Sequence, residues 1–555
     1  MVAVPQEMTP GVGLDRTRRP LDVTSPSTWL AIPILVFFAV SAFAFCWLPI
    51  MGPADTDLWT HLDTGRWIVE HQAIPSHAVW SFLSPPRSWV DYSWLFQVLV
   101  YQLYTAWGYE GLIGLRALLY LSSIVLVAGF FLGGERRVVA RLYFTCLVLL
   151  YGLLLGYRDL MLRPHGWSYL FIIAFVYVLE ERTRWAFWLP LMALLWVNLH
   201  GIEYVVLFLI IVSYATEVLV MNRSASTGAA KERQGLLMAL GLCALAIYLT
   251  PHGARLLGWP FHVMSRGNAA AYQHFRELRP LTFADLAPFD RAPLVSFSSV
   301  LSVLLILVSL SALLALARRQ GRVSHVMLVL GGAALLTGGL RFVFEFACVS
   351  MPLLKHHPVM TPRALQRRLS TRGALLAAGL LVLVTWGFLS PLVRERPRYP
   401  LSPHALPHGV ASFLSHLPTS GFVWNHPDTG GYLRWALGAR YQIVMDMQYP
   451  GPFDNADLFN AAGAFYDGEV RRKVLSQYEP SFLAVPFEHS AAFRHFIRRF
   501  PEYVLVFADD STALYVNAQH HPDIAASYRL KHLDPFVFAA VDPYERSSDE
   551  PLVPC

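Results

Sequence analysis

Long apolar runs dominate the first 392 residues of this 555-residue chain. A helix needs roughly 20 mostly apolar residues to cross a hydrocarbon core about 30 Å thick. Eleven runs reach or approach that length, at about 29–51, 111–132, 138–156, 166–180, 185–198, 202–221, 235–250, 294–317, 324–340, 342–354 and 373–392. Only 15% of the residues are charged, whereas soluble proteins carry roughly 25%. The sequence therefore predicts a polytopic α-helical membrane protein.

The placement of positive charge predicts the orientation of the chain. Lysine and arginine collect in every second connector between the apolar runs, and the positive-inside rule places such connectors in the cytoplasm. These connectors hold Arg136 and Arg137, Arg182 and Arg184, Arg223 to Arg233, Arg318 to Arg322, and Lys355 to Arg372. We therefore expect a cytoplasmic tail over 1–28, a transmembrane domain over 29–392, and everything after about 393 outside the cytoplasm.

A twelfth apolar run, 93–107, is too short to count as a clear span. It has fifteen residues, including Gln97 and Gln102, and as a helix it would reach only about 22 Å. If it crossed the membrane, every later basic connector would lie outside the cytoplasm. We therefore expect eleven spans, with 93–107 lying in the interface or re-entering the membrane from outside.

The end of the chain has a different pattern. After a Pro- and Arg-rich linker at 393–407, short apolar runs alternate with helical patterns, which predicts an extracytoplasmic α/β domain over 408–555. Predicted strands lie at 422–425, 442–447, 481–487, 503–509 and 512–518, and predicted helices at 428–437, 455–463, 469–478 and 489–499. We interpret Gly430 and Gly431 as a tight turn into a helix, and the RRK stretch at 471–473 as a solvated helix face.

Net charge and cysteine content say little about the function of this chain. A net charge of +6 would suit a nucleic-acid binder, but much of the positive charge lies in the predicted cytoplasmic loops, and we expect no nucleic-acid partner. Four of the five cysteines fall inside apolar runs and the fifth is the last residue. Their spacing suggests neither a metal site nor a disulfide framework.

The first predicted outer loop, 52–110, opens on the motif Asp55-Thr-Asp57. Two carboxylates directly after a membrane span lie where burial and shared charge shift pKa values. The residues that follow predict an amphipathic helix on the membrane surface. Taken alone, the motif is also explained as a helix cap with a first-turn acid.

Other ionisable residues lie in the same loop or at the outer ends of later spans. They are His61, Arg66, Asp91, Arg163, His165, His200, Glu203, Arg255 and Arg341. Arginines at span ends often reach lipid headgroups, and this alternative is equally good for Arg255 and Arg341. The Arg163-Pro-His165 and His200-Gly-Ile-Glu203 stretches favour a function, because clustered ionisable groups at membrane depth are costly without a partner.

The whole layout resembles the GT-C superfamily of polytopic glycosyltransferases, which use polyprenyl-phosphate sugars and include the catalytic subunit of oligosaccharyltransferase. The resemblance rests on the Asp55-Thr-Asp57 motif after the first span, the juxtamembrane helix, the aromatic segment and GLRALLYL with Arg116. NLHGIEY (198–204) and the stretch 424–450 are similar to elements of an uncharacterised bacterial subgroup.

The resemblance implies a membrane glycosyltransferase that transfers a sugar from a polyprenyl-phosphate donor to an extracytoplasmic glycan, lipid or protein. Asp55 would act as general base or position the acceptor, with Asp57 as the neighbouring candidate, in a direct displacement with inversion. The basic residues at the outer span ends would bind the donor phosphate. A divalent metal on Asp55 and Asp57 is compatible with the sequence, which does not decide whether one is needed.

Two other functions fit the same hydrophobic bulk: a transporter or flippase of lipid-linked sugars, and a non-catalytic scaffold for envelope polysaccharide assembly. Transporters place ionisable residues near the bilayer midplane and often show paired halves. Here the ionisable groups lie at outer span ends and the sequence shows no repeat, which favours an enzyme. We expect it in the lipid of a bacterial cytoplasmic membrane.

Overall fold

The computed structural model describes residues 29–47, 57–134, 138–220, 227–266, 278–286, 297–359, 371–394, 406–449, 451–487 and 497–531. Asp55, the first catalytic candidate, lies outside the described residues, and so does most of the predicted helix at 489–499. The predictions on these residues therefore stay predictions.

Helices occupy all eleven predicted apolar runs. They are α1 (Ile32–Trp47), α2 (Asp57–His71), α3 (Trp94–Leu132), α4 (Val138–Asp159), α5 (His165–Glu181), α6 (Leu189–Leu199), α7 (Tyr204–Val220), α8 (Thr227–Ala246), α9 (Arg255–Arg266), α10 (Phe297–Ala317), α11 (Val323–Thr337), α12 (Val343–His356) and α13 (Thr371–Arg394). Four helical stretches are long and apolar enough to cross a membrane: Trp94–Leu132, Ala140–Asp159, Gly201–Val220 and Phe297–Ala317. The protein is thus a helical membrane protein, and the number of eleven spans stays a prediction.

The doubtful run 93–107 forms the first part of α3. At Gly108 the backbone takes φ 61° and ψ −146°, a conformation that interrupts the helix and that glycine adopts most readily. Residues before and after this kink are therefore separate helical segments. The first segment buries Phe96 and Gln97 and packs along α2. That 93–107 lies in the interface or re-enters the membrane stays a prediction.

The C-terminal region contains a five-stranded sheet in the order β2-β1-β3-β5-β4. The strands are β1 (Gly421–Asn425), β2 (Tyr441–Ile443), β3 (Phe482–Pro486), β4 (Tyr503–Ala508) and β5 (Thr512–Asn517). β1 runs parallel to β2 and β3, whereas β5 runs antiparallel to β3 and β4. Its helices are α14 (His408–His416), α15 (Pro427–Leu437), α16 (Asn455–Tyr466), α17 (Gly468–Tyr478) and α18 (Pro522–Tyr528).

Two local predictions in this region were wrong, the one on the RRK stretch for Arg471 only, since Arg472 and Lys473 are exposed as predicted. Gly430 and Gly431 lie inside α15 rather than in a turn, and a Cβ on Gly430 would come within 2.2 Å of the Met445 carbonyl oxygen. Glycine is needed there because two backbones approach closely. Arg471 is buried, and its guanidinium donates to the carbonyls of Ala464 and Phe465 at the end of α16. It satisfies helix-end carbonyls instead of facing solvent.

The C-terminal sheet joins the first loop through backbone hydrogen bonds. Ile443 of β2 donates to the Trp80 carbonyl at 3.1 Å and accepts from the Phe82 amide at 3.3 Å. An ion pair between Arg87 and Asp457 adds a second connection, with its Nε to Oδ2 distance at 2.8 Å. The loop that carries the predicted catalytic motif is therefore held between the helical bundle and the sheet.

Candidate functional site

An ion pair between Asp57 and Arg163 connects the first loop to the second. Asp57 opens α2, where the helix dipole favours a carboxylate, and its Oδ2 lies 3.0 Å from Nη1 of Arg163. Arg163 lies in the short connector between α4 and α5. The side chain of Asp57 is 28% exposed and that of Arg163 is 15% exposed. A guanidinium in this position can turn to a phosphate, with which it forms two parallel hydrogen bonds.

His61 lies one turn further along α2. Its ring packs edge-on against Phe96, with 5.1 Å between ring centroids. Burial, together with the charges of Arg163 and Arg434, lowers the pKa of His61 to about 3. The imidazole is therefore neutral at pH 7, and its buried Nδ1 has no hydrogen-bond partner among the described residues.

His200 lies in the turn between α6 and α7. Its Nδ1 is 2.7 Å from the Ser168 hydroxyl, which also accepts a hydrogen bond from the Trp196 indole at 2.8 Å. Burial, together with the charge of Arg341, lowers the pKa of His200 to about 3. The indole can only donate, so the Ser168 hydroxyl accepts from Trp196, and it is able either to donate to Nδ1 of the neutral His200 ring or to accept from it, depending on the tautomer.

Asp91 is a buried carboxyl group whose pKa lies close to neutral pH. Its Oδ1 accepts hydrogen bonds from the Gln97 side chain at 2.9 Å and from the Ser93 amide at 3.3 Å. Its Oδ2 is buried without a partner in the described part of the chain. Burial raises the pKa of Asp91 to about 7, although these two hydrogen bonds oppose the shift. A carboxyl group with such a pKa can exchange a proton at physiological pH.

Tyr92 lies where charged groups from several segments of the chain come close together. Burial raises the pKa of its phenol to about 12, and the charges of Arg341, Asp57 and Glu203 also act on it. Its carbonyl accepts a hydrogen bond from the amide of Gly201 at 2.7 Å. The first loop, the α6–α7 turn and the start of α12 therefore meet at one end of the bundle.

Solved structures share this architecture. Archaeal oligosaccharyltransferase AglB from Archaeoglobus fulgidus, in complex with an inhibitory peptide and a dolichol-phosphate, aligns with a TM-score of 0.54 and 12% identity over 89% of this chain and 74% of that chain. An A. fulgidus oligosaccharyltransferase tethered with an acceptor peptide aligns with a TM-score of 0.51 and 11% identity over 89% and 74% of the two chains. The chain has the GT-C fold.

A bacterial protein, ArnT from Cupriavidus metallidurans in the apo state, aligns with a TM-score of 0.48 and 12% identity, over 88% of this chain and 98% of that chain. No family model and no curated protein sequence matches the chain. The two oligosaccharyltransferase structures confirm the GT-C resemblance inferred from the sequence at the level of the fold.

Three other residues singled out from the sequence lie elsewhere in this fold, and two of them make side-chain contacts. Arg66 donates to the Trp435 carbonyl at 3.1 Å and lies 4.5 Å from the centre of its ring, so it holds α2 against α15. His165 is buried, with its Nε2 3.2 Å from the Arg158 carbonyl. Arg255 is exposed at the first residue of α9. Their predicted binding roles stay predictions.

The sequence reading missed two buried carboxylates next to this site. Asp159 ends α4 and is 3% exposed, and Glu345 lies near the start of α12 and is 4% exposed. The charge of Glu203 acts on Glu345. An acid inside an apolar run was the signal available for Glu345, since ionisable residues at membrane depth are costly and mark functional positions.

The predicted metal site cannot be assembled from the described residues, because Asp57 is among them and Asp55 is not. A divalent cation on this pair therefore stays a prediction. Within the described ranges, one group of histidine and carboxylate ligands is close enough to hold a metal: Glu180, His325 and His356. It lies elsewhere in the bundle.

Proposed function

We propose that this protein is a membrane glycosyltransferase that moves a sugar from a polyprenyl-phosphate donor to an extracytoplasmic acceptor. The observation that carries the proposal is the Asp57–Arg163 pair, with neutral His61 and His200 nearby, at one end of a GT-C bundle. The AglB structure with dolichol-phosphate supports a polyprenyl-phosphate ligand by analogy. The acceptor is a glycan, a lipid or a protein.

The chemistry is a direct displacement at the anomeric carbon. An acceptor nucleophile attacks this carbon from the face opposite the phosphate, so the configuration inverts. Its proton passes to Asp55, and the bond between the anomeric carbon and the phosphate oxygen breaks with its electron pair on the phosphate. Arg163 and Arg341 stabilise the developing negative charge, which is where preorganised cations contribute most to the rate.

Asp57 has a separate part in this proposal. Its carboxylate holds Arg163 at 3.0 Å before the donor arrives. When the phosphate binds, the guanidinium exchanges part of its bond to Asp57 for a bond to the phosphate. In the tautomer that carries its proton on Nε2, the neutral His200 ring is a further donor that adds no charge to the site. The pair therefore preorganises the cation close to where it is needed.

The contacts at the two ends of the bundle support the topology that we propose. The predicted outer segments that carry Asp57, Arg163 and His200 meet at one end, whereas Arg322 and Lys355, from predicted cytoplasmic connectors, bind Glu180 and Glu181 at the far end of α5. We place the first end and the C-terminal region outside a bacterial cytoplasmic membrane. The N-terminus is then cytoplasmic, with eleven spans.

Transfer activity tests the function. Full-length protein in liposomes is incubated with radiolabelled polyprenyl-phosphate sugars, hexoses and pentoses in turn, and release of polyprenyl phosphate is measured. Asp55→Asn should abolish release and leave donor binding within about twofold, because the amide keeps the shape and loses the basicity. Asp523→Asn is the matched control, since Asp523 is exposed on α18. Full activity in Asp55→Asn would refute the role of Asp55, and a wild type that binds no donor would refute the function.

Cysteine labelling tests the topology. Arg136→Cys and Asp523→Cys are placed in a chain without its native cysteines and treated in intact cells with a membrane-impermeant thiol reagent. We expect labelling at position 523 and none at position 136. Labelling of position 136 from outside would invert the proposed orientation.

A further inference from the structure

A second cluster of ionisable side chains lies at the other end of the helical bundle. Glu180 is in the last turn of α5, His325 in the first turn of α11, and His356 is the last residue of α12. A helix rises about 1.5 Å per residue, so Glu180 lies about 22 Å along α5 from His165. The cluster is therefore remote from Asp57 and takes no part in the proposed transfer.

The ligand atoms of this cluster lie close enough together to share one metal ion. Nε2 of His325 lies 3.2 Å from Oε1 of Glu180, and Nε2 of His356 lies 3.0 Å from Oε2 of the same carboxylate. One ligand atom from each of the three residues lies within 4.8 Å of the others. Zinc with nitrogen and oxygen ligands at about 2.0–2.1 Å has neighbouring ligands about 3.3–3.4 Å apart in a tetrahedron. Each histidine nitrogen lies slightly closer than that to one of the two carboxylate oxygens, so small side-chain shifts would bring the three residues around an ion.

Burial gives the cluster one dry side and one open side. The side chains of Glu180 and His325 have no exposed surface, and that of His356 is 40% exposed. The two buried side chains are held in place by the packing around them. On the side of His356, water can reach the cluster and serve as a fourth ligand. An ion can enter by the same route.

Outer contacts fix the carboxylate of Glu180. The Tyr214 hydroxyl donates to its Oε1 at 2.8 Å, and Arg322 donates to its Oε2 at 2.7 Å. Arg322 also donates to Glu217 at 2.7 Å. Metal-binding carboxylates are commonly held by such second contacts. The two glutamates and one arginine carry a net charge of −1, which favours a bound cation.

We propose that Glu180, His325 and His356 bind a divalent zinc ion, with water as the fourth ligand. Two imidazole nitrogens and one carboxylate oxygen form a ligand set that zinc prefers over magnesium or calcium. The ion joins the ends of α5, α11 and α12, and its role is to hold these helices together. This inference does not depend on the proposed transferase activity.

Zinc content tests the site directly. Full-length protein in detergent is stripped with a chelator, loaded with zinc, freed of excess by gel filtration and analysed by mass spectrometry for zinc per chain. His356→Ala should retain about one ion fewer than wild type, with affinity at least tenfold weaker, since even loss of a second-shell contact costs roughly 10–100-fold. The matched control is His416→Ala, because His416 is an exposed histidine on α14. It should retain as much zinc as wild type.

A cobalt spectrum and a melting curve complete the test. Cobalt in place of zinc should give the visible bands of a tetrahedral site in wild type, and these bands should be lost in His356→Ala. Zinc should raise the melting temperature of wild type but not that of the variant. Equal zinc content in wild type and His356→Ala would overturn the proposal, and the histidines would then be hydrogen-bond partners of Glu180 only. His356 is partly exposed, so this variant is expected to fold even if His325→Gln does not.

Discussion

Arg434 is the residue whose loss should most disturb the contact between the C-terminal region and the first loop. From α15 its Nε lies 2.6 Å from Oδ2 of Asp63, its Nη1 2.6 Å from Oδ2 of Asp446, and its Nη2 2.9 Å from the Thr64 hydroxyl. The guanidinium also lies 3.5 Å from the centre of the Trp80 ring. The side chain is only 3% exposed.

The structure sets the size of the effect. Arg434→Met keeps much of the volume and removes the charge, leaving Asp446 with no exposed side-chain surface and Asp63 with 13%. Removing one partner of a buried ion pair costs about 3–5 kcal/mol, because the other charge stays buried and uncompensated. We therefore expect the free energy of unfolding to fall by about that amount at pH 7.

The effect should depend on pH with a definite sign. Burial raises the pKa of Asp446, and the charge of Arg434 opposes the rise. Without Arg434 the pKa rises further, so the folded variant takes up a proton at a higher pH than the unfolded chain does. The penalty is fully present above the new pKa and is relieved as the pH falls through it. Arg434→Met should therefore lose less stability at pH 5 than at pH 8.

Denaturant unfolding in mild detergent measures these differences. The control is Arg472→Met, since Arg472 and its partner Glu469 are 57% and 83% exposed and such surface pairs contribute about 0–1 kcal/mol. Changing Asp63 and Asp446 to asparagine in the Arg434→Met background should recover part of the loss. A loss in Arg434→Met no larger than that in Arg472→Met, at pH 8 as well as pH 5, would refute the reasoning.

Three further predictions concern the site and the core. Arg163→Ala should weaken donor binding by about 1.5–3 kcal/mol, the contribution of a hydrogen bond to a charged group, whereas Asp57→Asn should leave donor binding unchanged. Equal affinities of wild type and Arg163→Ala for the donor, measured by titration calorimetry, would contradict this prediction. Gly430→Ala should lower the unfolding free energy by about 1–3 kcal/mol through overpacking, because its Cβ would lie 2.2 Å from a backbone carbonyl oxygen. The control is Gly235→Ala, whose Cβ would meet no atom within 4 Å, and it should not lower the unfolding free energy. The pKa of His200 is about 3 in the folded chain and about 6.5 in the unfolded chain, so its contribution to stability is present above pH 6.5 and falls toward pH 3. Between pH 7 and pH 5, the free energy of unfolding of wild type should fall by about 2 kcal/mol more than that of His200→Gln. The same pH dependence of stability in both proteins would contradict this prediction.

Local patterns predicted the elements of the fold. All five strands lie where short apolar runs were found between 422 and 518, and helices occupy the eleven apolar runs. Hydrophobic periodicity reflects which neighbours along the chain share a face, so a single sequence contains it. The same logic failed for Gly430 and Arg471, since their roles depend on a carbonyl or a helix end that the local pattern does not show.

The candidate site was predictable in part. Arg163, His200 and Glu203 stood out because ionisable residues beside apolar runs are costly, and the structure brings their segments together with Asp57. Tyr92 and Ser168 carry no such signal, since a tyrosine or serine in an aromatic-rich chain is unremarkable. The contact of His200 with Ser168, which in turn accepts from Trp196, joins residues that are far apart in sequence and is known only from the fold.

By itself the sequence determined that this chain is a helical membrane protein with a C-terminal α/β region, because apolar run length and period depend on residues close together in the chain. Tertiary structure alone decided which charges meet. Arg434 reaches Asp63 across 371 positions, and His356 reaches Glu180 across 176. A charge is stabilised by its nearest partner in space, and that partner is known only once the chain is folded.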